Sequence, residues 1–180
     1  MIMKHKNRAN RSAVALLLLA CVGIPILIRA QNKKKAISDD EAEIRAVEER
    51  FIAAFNAGDI DAMMKSYLPD KGFVIFDVVP RKETRGADVY RKDWEEFFSH
   101  FKGRPTISIT QLGITADDRV GFSHSIQRIR GVDTQGHPVD RTVRVTDGYR
   151  KVGGKWLIAL EHVSVPVDLR TGKAETGPKP

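Results

Sequence analysis

Apolar residues recur at helical spacing in the first part of the chain after residue 37. Ser38 and Glu41 form a capping box, and Gly58 is a typical helix end. Between them, the apolar positions that share one helix face are Ile44, Val47, Phe51 and Phe55. The pattern predicts one amphipathic helix of about twenty residues.

Two further helices are predicted before residue 105. Asp59 can cap a short helix that includes Tyr67 and ends before Pro69. Gly86 opens a third helix, which the turn-forming sequence Gly103-Arg104-Pro105 closes. Its aromatic residues lie on neighbouring faces, at Trp94, Phe97, Phe98 and Phe101.

After residue 105 the apolar period shortens to two, which is typical of strands. Four strands are predicted between turn-forming segments, at Thr106–Thr115, Arg119–Arg130, Val139–Val152 and Lys155–Val167. The element order predicts an α+β domain over residues 38–167, with three N-terminal helices packed on a strongly curved, mostly antiparallel sheet that encloses a cone-shaped cavity. Residues 168–180 are rich in Gly, Pro and Lys and predict a flexible tail.

A carboxylate interrupts an apolar segment between the second and third helices. Asp77 lies between Phe73-Val74-Ile75-Phe76 and Val78-Val79, a run typical of a strand covered on both faces. A charge inside such a strand is costly unless it is solvated or paired. We therefore expect either that the strand face is exposed to solvent at Asp77 or that Asp77 lines a cavity.

Residues 1–30 have the three parts of a signal peptide. Basic residues precede an apolar run from Ala13 to Ile28, and a small residue, Ala30, precedes Gln31. The run is shorter than the ~20 residues that span a bilayer, and Pro25 interrupts it. We therefore expect export to the periplasm or the medium, with residues 31–37 as a short basic linker and no membrane contact after cleavage. An uncut membrane anchor is the alternative.

The cysteine count narrows the chemistry of the mature chain. Cys21 is the only cysteine, so a chain cut after Ala30 has no thiol for a disulfide or a metal. The sequence Leu18-Leu19-Ala20-Cys21 resembles a lipoprotein box, which makes lipidation of Cys21 a second alternative. Against it, the apolar run continues beyond this cysteine to Ile28, where lipoproteins normally become polar.

All of the net charge of +7 comes from the N-terminal segment. Eight basic residues precede the first acidic residue, Asp39, and 22 basic residues accompany 23 acidic ones in the remainder. The folded part is therefore near neutral, and without a basic patch interleaved with aromatic residues we expect no nucleic-acid partner. The five histidines lack metal-ligand spacing, and phosphate-binding and dinucleotide-binding motifs are missing, so no metal or cofactor is expected.

Three segments carry a resemblance to a known family. The sequences FIAAFNAGDIDAMMKSYLPD, GADVYRKDW and GGKWLIALEHVSVP, together with the Asp77 segment, resemble the nuclear transport factor 2-like superfamily, in particular its SnoaL-like and ketosteroid-isomerase-like members. The resemblance covers Ser38 to Pro166. It is specific for the fold and weak for activity.

The resemblance implies roles for two aspartates. Ketosteroid isomerase carries an aspartate base nine residues before the glycine that opens the next helix, and Asp77 precedes Gly86 by nine residues. A second aspartate of that enzyme, protonated in an apolar site, donates a hydrogen bond to the developing enolate, and Asp147 matches it. The family's tyrosine on the first helix is Phe51 here, and phenylalanine cannot donate a hydrogen bond.

Another member of the superfamily has different side chains at the equivalent positions. The association domain of calmodulin-dependent kinase II, which the chain resembles in GKWL and the following H-x-S spacing, does no chemistry of its own. Its pocket arginines fall at Asp147 and His124. Cavity position is thus the feature that the resemblance implies most strongly.

Strand alternation leaves alternatives open at three residues. His124 shares a strand face with apolar residues. It is expected to be either an acid/base in the cavity or a core histidine hydrogen-bonded to the backbone. Asp147 lies on the more apolar face of its strand and either lines the cavity or pairs with an arginine across the sheet. Glu161 is expected on the same side of the sheet as Asp147. It either lines the cavity or is a charge at the cavity rim that pairs with an arginine.

Two function classes follow. One is an exported enzyme that transfers protons on a small apolar ligand, as in isomerisation or dehydration, with Asp77 as base and His124 or Asp147 as partner. The other is a non-catalytic ligand-binding or dimeric association module. In both, the residues expected to line the cavity are Phe51, Phe55, Tyr67, Trp94 and Glu161.

The last strand is apolar on both faces, so we expect a homodimer formed through the sheet.

Cleavage after Ala30 is the first testable prediction. The small residue before Gln31 and the short apolar run favour a mature chain that begins at Gln31. Intact mass of protein recovered from the periplasm or the medium measures this start. A chain that begins at lipid-modified Cys21 would contradict it.

Overall fold

A computed structural model of the chain describes residues 38–177, so the expected leader and linker, residues 1–37, lie outside the described residues. The helices are α1 (Asp39–Ala57), α2 (Ile60–Met64) and α3 (Ala87–Ser99). The strands are β1 (Val74–Phe76), β2 (Thr84–Arg85), β3 (Thr106–Asp117), β4 (Val120–Val132), β5 (Pro138–Val152), β6 (Lys155–Ser164), β7 (Val167–Asp168) and β8 (Lys173–Ala174). Among the described residues, no helix is long and apolar enough to cross a membrane.

The capping signals of α1 act as predicted. The hydroxyl of Ser38 accepts a hydrogen bond from the Glu41 N–H at 3.1 Å, and the Glu41 carboxylate accepts one from the Ser38 N–H at 3.3 Å. Gly58 follows the last turn with a φ of 69°, in the left-handed region that favours glycine. The predicted apolar face is buried, and Glu48 is buried with it.

Six strands form one curved sheet in the order β2-β1-β6-β5-β4-β3. Every neighbouring pair is antiparallel except β1 with β6. Register shifts interrupt β3 between Ile109 and Gln111, and the β5–β6 pairing at Gly148 and Tyr149. Such bulges bend strands and increase their twist. The expected α+β architecture with a mostly antiparallel, curved sheet is confirmed.

The shift in the β5–β6 pairing changes which residues of β6 face the helices. Gly148 lies opposite Leu160 while Tyr149 lies opposite Ile158, so Ala159 is an extra residue on β6. The alternation reverses there. Ile158 and Glu161 are therefore both buried, whereas strict alternation places them on opposite faces.

The segment around Asp77 departs from the prediction. Only Val74–Phe76 forms a strand, and Asp77 follows its last residue. Val78 and Val79 are 52% and 46% exposed, so the expected strand covered on both faces is wrong. Pro80 explains the difference, because proline has no N–H to donate to a strand ladder and the chain leaves the sheet before it.

Residues 168–176, which lie in the predicted flexible tail, form local secondary structure. β7 and β8 form a small hairpin, and the Thr142 N–H donates to the Thr176 carbonyl at 2.8 Å. Local turn chemistry closes the hairpin, since the Asp168 carboxylate accepts from the Arg170 N–H and Gly172 adopts a φ of 69°. Residues 178–180 lie outside the described residues.

The face of the sheet that points away from α1, here called the outer face, exposes apolar side chains. The larger ones are Phe76, Val120, Phe122 and Leu160. Exposed apolar side chains grouped on a sheet are typical of an interaction surface. The homodimer expected from the sequence stays a prediction.

A dimer formed through the outer face should dissociate when a charge is placed in it. Phe122 is 48% exposed, so Phe122→Glu should leave the fold intact and convert dimer to monomer because a buried unpaired carboxylate is costly. Light scattering at tens of micromolar measures the mass. A monomeric starting protein would contradict the prediction.

Candidate functional site

A cavity of about 250 Å³ lies between the inner face of the sheet and the helices α1 and α3. Its apolar lining comes from Phe51, Val78, Val79, Trp94, Phe97, Ile107, Ile129, Val143, Val145, Ile158 and Val163. Its polar lining comes from Glu48, Asp77, Tyr90, Gln127, Asp147 and Glu161. Within residues 38–177, no lysine, arginine or histidine lines this cavity. The same range holds no group of three or more His, Cys, Asp or Glu that is arranged to bind a metal ion.

Five of the eight residues expected at the site line this cavity. They are Phe51, Asp77, Trp94, Asp147 and Glu161. Phe55 does not line it, because this side chain is fully buried in the core against Trp94 and Phe98. Tyr67 does not line it either, but it supports the site through a hydrogen bond to Glu161 and ring contacts with Phe51 and Tyr90.

His124 is not in the cavity. It is exposed on the outer face, where it lies opposite Gly113 and Thr146. The alternation predicted for β4 is correct, but the face is reversed, and Ser123, Ser125 and Gln127 point inward and are buried. Ser123 donates to Glu48, a buried carboxylate of α1, and Gln127 donates to Ser125, so these polar side chains are satisfied on the inner face. His124 is therefore removed from the candidate site.

Glu161 is held by two tyrosine hydroxyls. Tyr67 donates to its Oε2 at 2.9 Å and Tyr90 donates to its Oε1 at 2.5 Å. Burial raises the pKa of Glu161 to about 7, the two tyrosine hydrogen bonds oppose this rise, and the charges of Asp77 and Glu48 add to it. The rim charge paired with an arginine, which the sequence left open, is wrong.

Glu48 and Asp147 form a second group of buried acids. Ser123 and Tyr149 donate hydrogen bonds to Glu48 Oε1 at 2.9 and 2.5 Å, so α1 is joined to β4 and β5. Asp147 is 2% exposed and lies within hydrogen-bonding reach of Glu48 and Ser123. Its Oδ1 has no hydrogen-bond partner among the described residues. An arginine partner for Asp147, the alternative left open by the sequence, is not observed in residues 38–177.

The pKa of Asp147 lies well above its usual range. Burial is the main cause, and the neighbouring charges of Glu161 and Glu48 add to it. A hydrogen bond from Ser123 acts in the opposite direction and is weaker. Asp147 is therefore protonated over a wider pH range than an exposed aspartate.

Asp77 lies at the mouth of the cavity, half-buried. The mouth opens into an outer groove that shares Asp77, Tyr90 and Trp94 with the cavity. The Oδ1 of Asp77 accepts from the N–H of Val78 at 2.6 Å. Burial raises the pKa of Asp77, the Val78 N–H lowers it, and the charge of Asp93 raises it further.

Neither arginine near Asp77 pairs with it. Arg81 pairs with Asp93 at 2.9 Å, and Arg85 pairs with Glu83 at 2.8 Å. Asp77 has no cationic partner within residues 38–177. This arrangement favours the cavity interpretation of Asp77 over a structural ion pair.

Sequence reasoning missed Glu48, Tyr90 and Tyr149. A signal for Glu48 exists, because it lies four residues after Ile44 and three before Phe51 and so falls on the predicted apolar face of α1. Tyr90 lies one turn before Trp94 on α3. A charged residue on the apolar face of a helix is therefore the signal that locates this site.

Asp147→Asn should stabilise the domain at neutral pH. A raised pKa means that the native state binds more protons than the unfolded state, so stability is lost as pH rises from the usual value of 3.8 through the native pKa. Asparagine has the same shape without the charge, so the free energy of unfolding should rise by about 1–3 kcal/mol near pH 8. Urea denaturation near pH 5 and pH 8 measures the difference.

Asp88→Asn is the matched control, because Asp88 is an exposed aspartate outside the cavity. It should change stability little at either pH. Destabilisation of Asp147→Asn near pH 8 would show that the carboxylate is structurally required.

Three solved structures show the same fold. The chain is 30% identical to a nuclear transport factor 2-like protein of unknown function from Pseudomonas putida, over 78% of this chain and 96% of that chain, with a TM-score of 0.69. A ketosteroid isomerase-like protein from Erwinia carotovora atroseptica is 20% identical, over 71% and 96% of the two chains, with a TM-score of 0.60. A nuclear transport factor 2-like superfamily protein from Salmonella enterica serovar Typhimurium is 15% identical, over 74% and 96%, with a TM-score of 0.65.

The sequence comparisons identify the family. No curated protein matches the chain. The family model described as the SnoaL-like domain matches residues 44–168, which include every lining residue of the cavity. The chain therefore belongs to the SnoaL-like domain family, within the nuclear transport factor 2-like superfamily.

Proposed function

We propose that the domain binds a small organic molecule in its cavity and catalyses a proton transfer on it, with Asp77 as the general base. In this proposal the cavity is the cone-shaped space expected between the three helices and the sheet. The observation that carries the proposal is the position of Asp77 and its lack of a cationic partner within residues 38–177. Asp77 lies at the cavity mouth with a backbone N–H as its only hydrogen-bond partner in residues 38–177 and with a raised pKa.

Asp77 suits a base better than the other acids of the cavity. Glu48 accepts two hydroxyl hydrogen bonds at its Oε1 and Glu161 accepts one at each oxygen, so part of the acceptor capacity of both carboxylates is already occupied. The Oδ2 of Asp77 is free to accept a proton. Its position between the cavity and the outer groove also lets the proton leave to solvent after the reaction.

Asp147 is the proposed electrophilic partner. In its protonated form it is a hydrogen-bond donor inside a largely apolar site, which is the arrangement that stabilises a developing oxyanion. The raised pKa of Asp147 keeps it protonated when Asp77, at the wetter mouth, has ionised. Two acids with different surroundings can thus act as base and donor at one pH.

A non-catalytic binding or association module is the second candidate. Phe51 occupies the place of the family's tyrosine, and the hydroxyls of Tyr90 and Tyr149 already donate to Glu161 and Glu48. Within residues 38–177, the side-chain donors that remain for an oxyanion are protonated Asp147 and the indole N–H of Trp94, which has no hydrogen-bond partner. Export stays a prediction of the N-terminal pattern in either case.

A general probe of proton abstraction tests the proposed base. 5-Nitrobenzisoxazole loses its C3 proton to a base as its N–O bond breaks, and the released 2-cyano-4-nitrophenolate is followed by absorbance. The protein should accelerate this reaction, with a rate that rises with pH as Asp77 ionises above the usual value of 3.8. Asp77→Asn should reduce the rate by about tenfold or more.

Asp88→Asn, on the outside of α3, should leave the rate unchanged. If Asp77→Asn retains the rate of the unaltered protein, Asp77 is not the base. Binding of neutral aromatic molecules without turnover would instead favour the non-catalytic candidate.

A further inference from the structure

We propose that the cavity selects ligands that carry a positively charged ammonium group on a small apolar body. This inference rests on the proposed ligand-binding function and adds to it the charge of the ligand. It is carried by the sign of the lining charges, by an unpartnered buried oxygen and by the aromatic wall.

Four separate segments each direct an acid at the cavity. Glu48 comes from α1, Asp77 from the end of β1, Asp147 from β5 and Glu161 from β6. No basic side chain within residues 38–177 lines the cavity to offset them. Buried like charges repel each other and lose their hydration, so an ammonium group placed among them would remove part of both costs, whereas an anionic ligand would add to them.

The Oδ1 of Asp147 supplies an independent sign of a missing partner. This side chain is 2% exposed, lines the cavity and has no hydrogen-bond partner for that oxygen among the described residues. Buried polar atoms without a partner are rare and costly in folded proteins. Asp147 is protonated in the reaction proposed for a neutral substrate, but an ammonium ligand would favour its ionised form, and an N–H of that ligand would provide a charge-assisted hydrogen bond to this oxygen.

Aromatic rings form part of the cavity wall beside the acids. Trp94 lies with its ring centre 5.8 Å from that of Phe51 and 5.3 Å from that of Tyr90, and all three rings line the cavity. Aromatic ring faces attract cations, by about 0.5–2 kcal/mol for each well-placed ring. The valine and isoleucine side chains of the sheet provide an apolar surface for the rest of the ligand.

Protonation of the acids is the competing explanation, because a fully protonated cavity would suit a neutral ligand. The acidic side chains that face the cavity are Glu48, Asp77, Asp147 and Glu161, and the tyrosines in contact with them are Tyr67, Tyr90 and Tyr149. The tyrosines have pKa values well above their usual range and stay neutral. Burial raises the pKa of Glu161 to about 7, so this acid changes charge near neutral pH.

The two explanations predict opposite effects of pH. A cation binds the ionised acids and displaces protons, so its affinity should rise as pH increases from about 5.5 to about 8. A neutral ligand should show little change or weaker binding over the same range. An ammonium probe must therefore keep its own charge throughout, as benzylammonium does.

Calorimetry with three probes of similar shape tests the inference on the purified protein. Benzylammonium, benzyl alcohol and benzoate differ mainly in charge. At about pH 8, benzylammonium should bind about tenfold or more tightly than benzyl alcohol, and benzoate should bind least. Asp147→Asn should lower the affinity for benzylammonium by about tenfold and leave that for benzyl alcohol unchanged.

Glu161→Gln is the second variant and should lower the affinity for benzylammonium and flatten its pH dependence. Asp88→Asn should behave as the unaltered protein. If benzyl alcohol binds as tightly as benzylammonium, the inference about charge is wrong while the proposed ligand cavity stands. If none of the three probes binds, both the inference and the proposed function are wrong.

Discussion

The hydrogen bonds of Glu48 set the constraint on which the rest of the cavity depends. A carboxylate on the buried face of a helix must find donors, because removing it from water without them is costly. Ser123 and Tyr149 supply those donors from β4 and β5, so the sheet meets α1 through a polar contact at this point. A side chain larger than serine at position 123 would push the helix away from the sheet. The space beside this contact is the cavity.

A second polar contact between a carboxylate and hydroxyl groups joins the helices to the sheet on the other side of the cavity. Glu161 accepts hydrogen bonds from Tyr67, which follows α2, and from Tyr90 on α3. It can do so only because the extra residue Ala159 reverses the alternation of β6 and turns both Ile158 and Glu161 inward. One bulge thus decides whether this strand contributes an acid to the site. The two carboxylates, each fixed by two hydroxyl groups, hold the helices at a distance from the sheet that apolar packing alone would close.

The parts of the structure that the sequence could predict are those with local causes. The capping box at Ser38, the glycine at position 58 and the turns between the long strands act over a few residues, and the elements they delimit follow the expected ranges. The face of β4 could not be predicted in the same way. Hydrophobicity favours the side of Phe122 and His124 as the inner one, yet the inner positions belong to polar side chains, of which Ser123 donates to Glu48 and Ser125 accepts from Gln127. The bulge at Ala159 is likewise a property of the pairing between two strands.

The four acids of the cavity differ in what the fold requires of them. Glu48 and Glu161 join helices to the sheet, and their oxygens are engaged by serine and tyrosine hydroxyls. Asp77 joins no elements, since it accepts only from its own neighbour in the chain. Asp147 lies within hydrogen-bonding reach of Glu48 and Ser123, but its Oδ1 has no partner within residues 38–177. Burial raises the pKa of both, which means that the fold loses stability by keeping them ionised. An acid that destabilises the fold and keeps a carboxylate oxygen without a partner in it is explained best by a partner from outside, and the cavity between Asp77 and Asp147 is where that partner would bind.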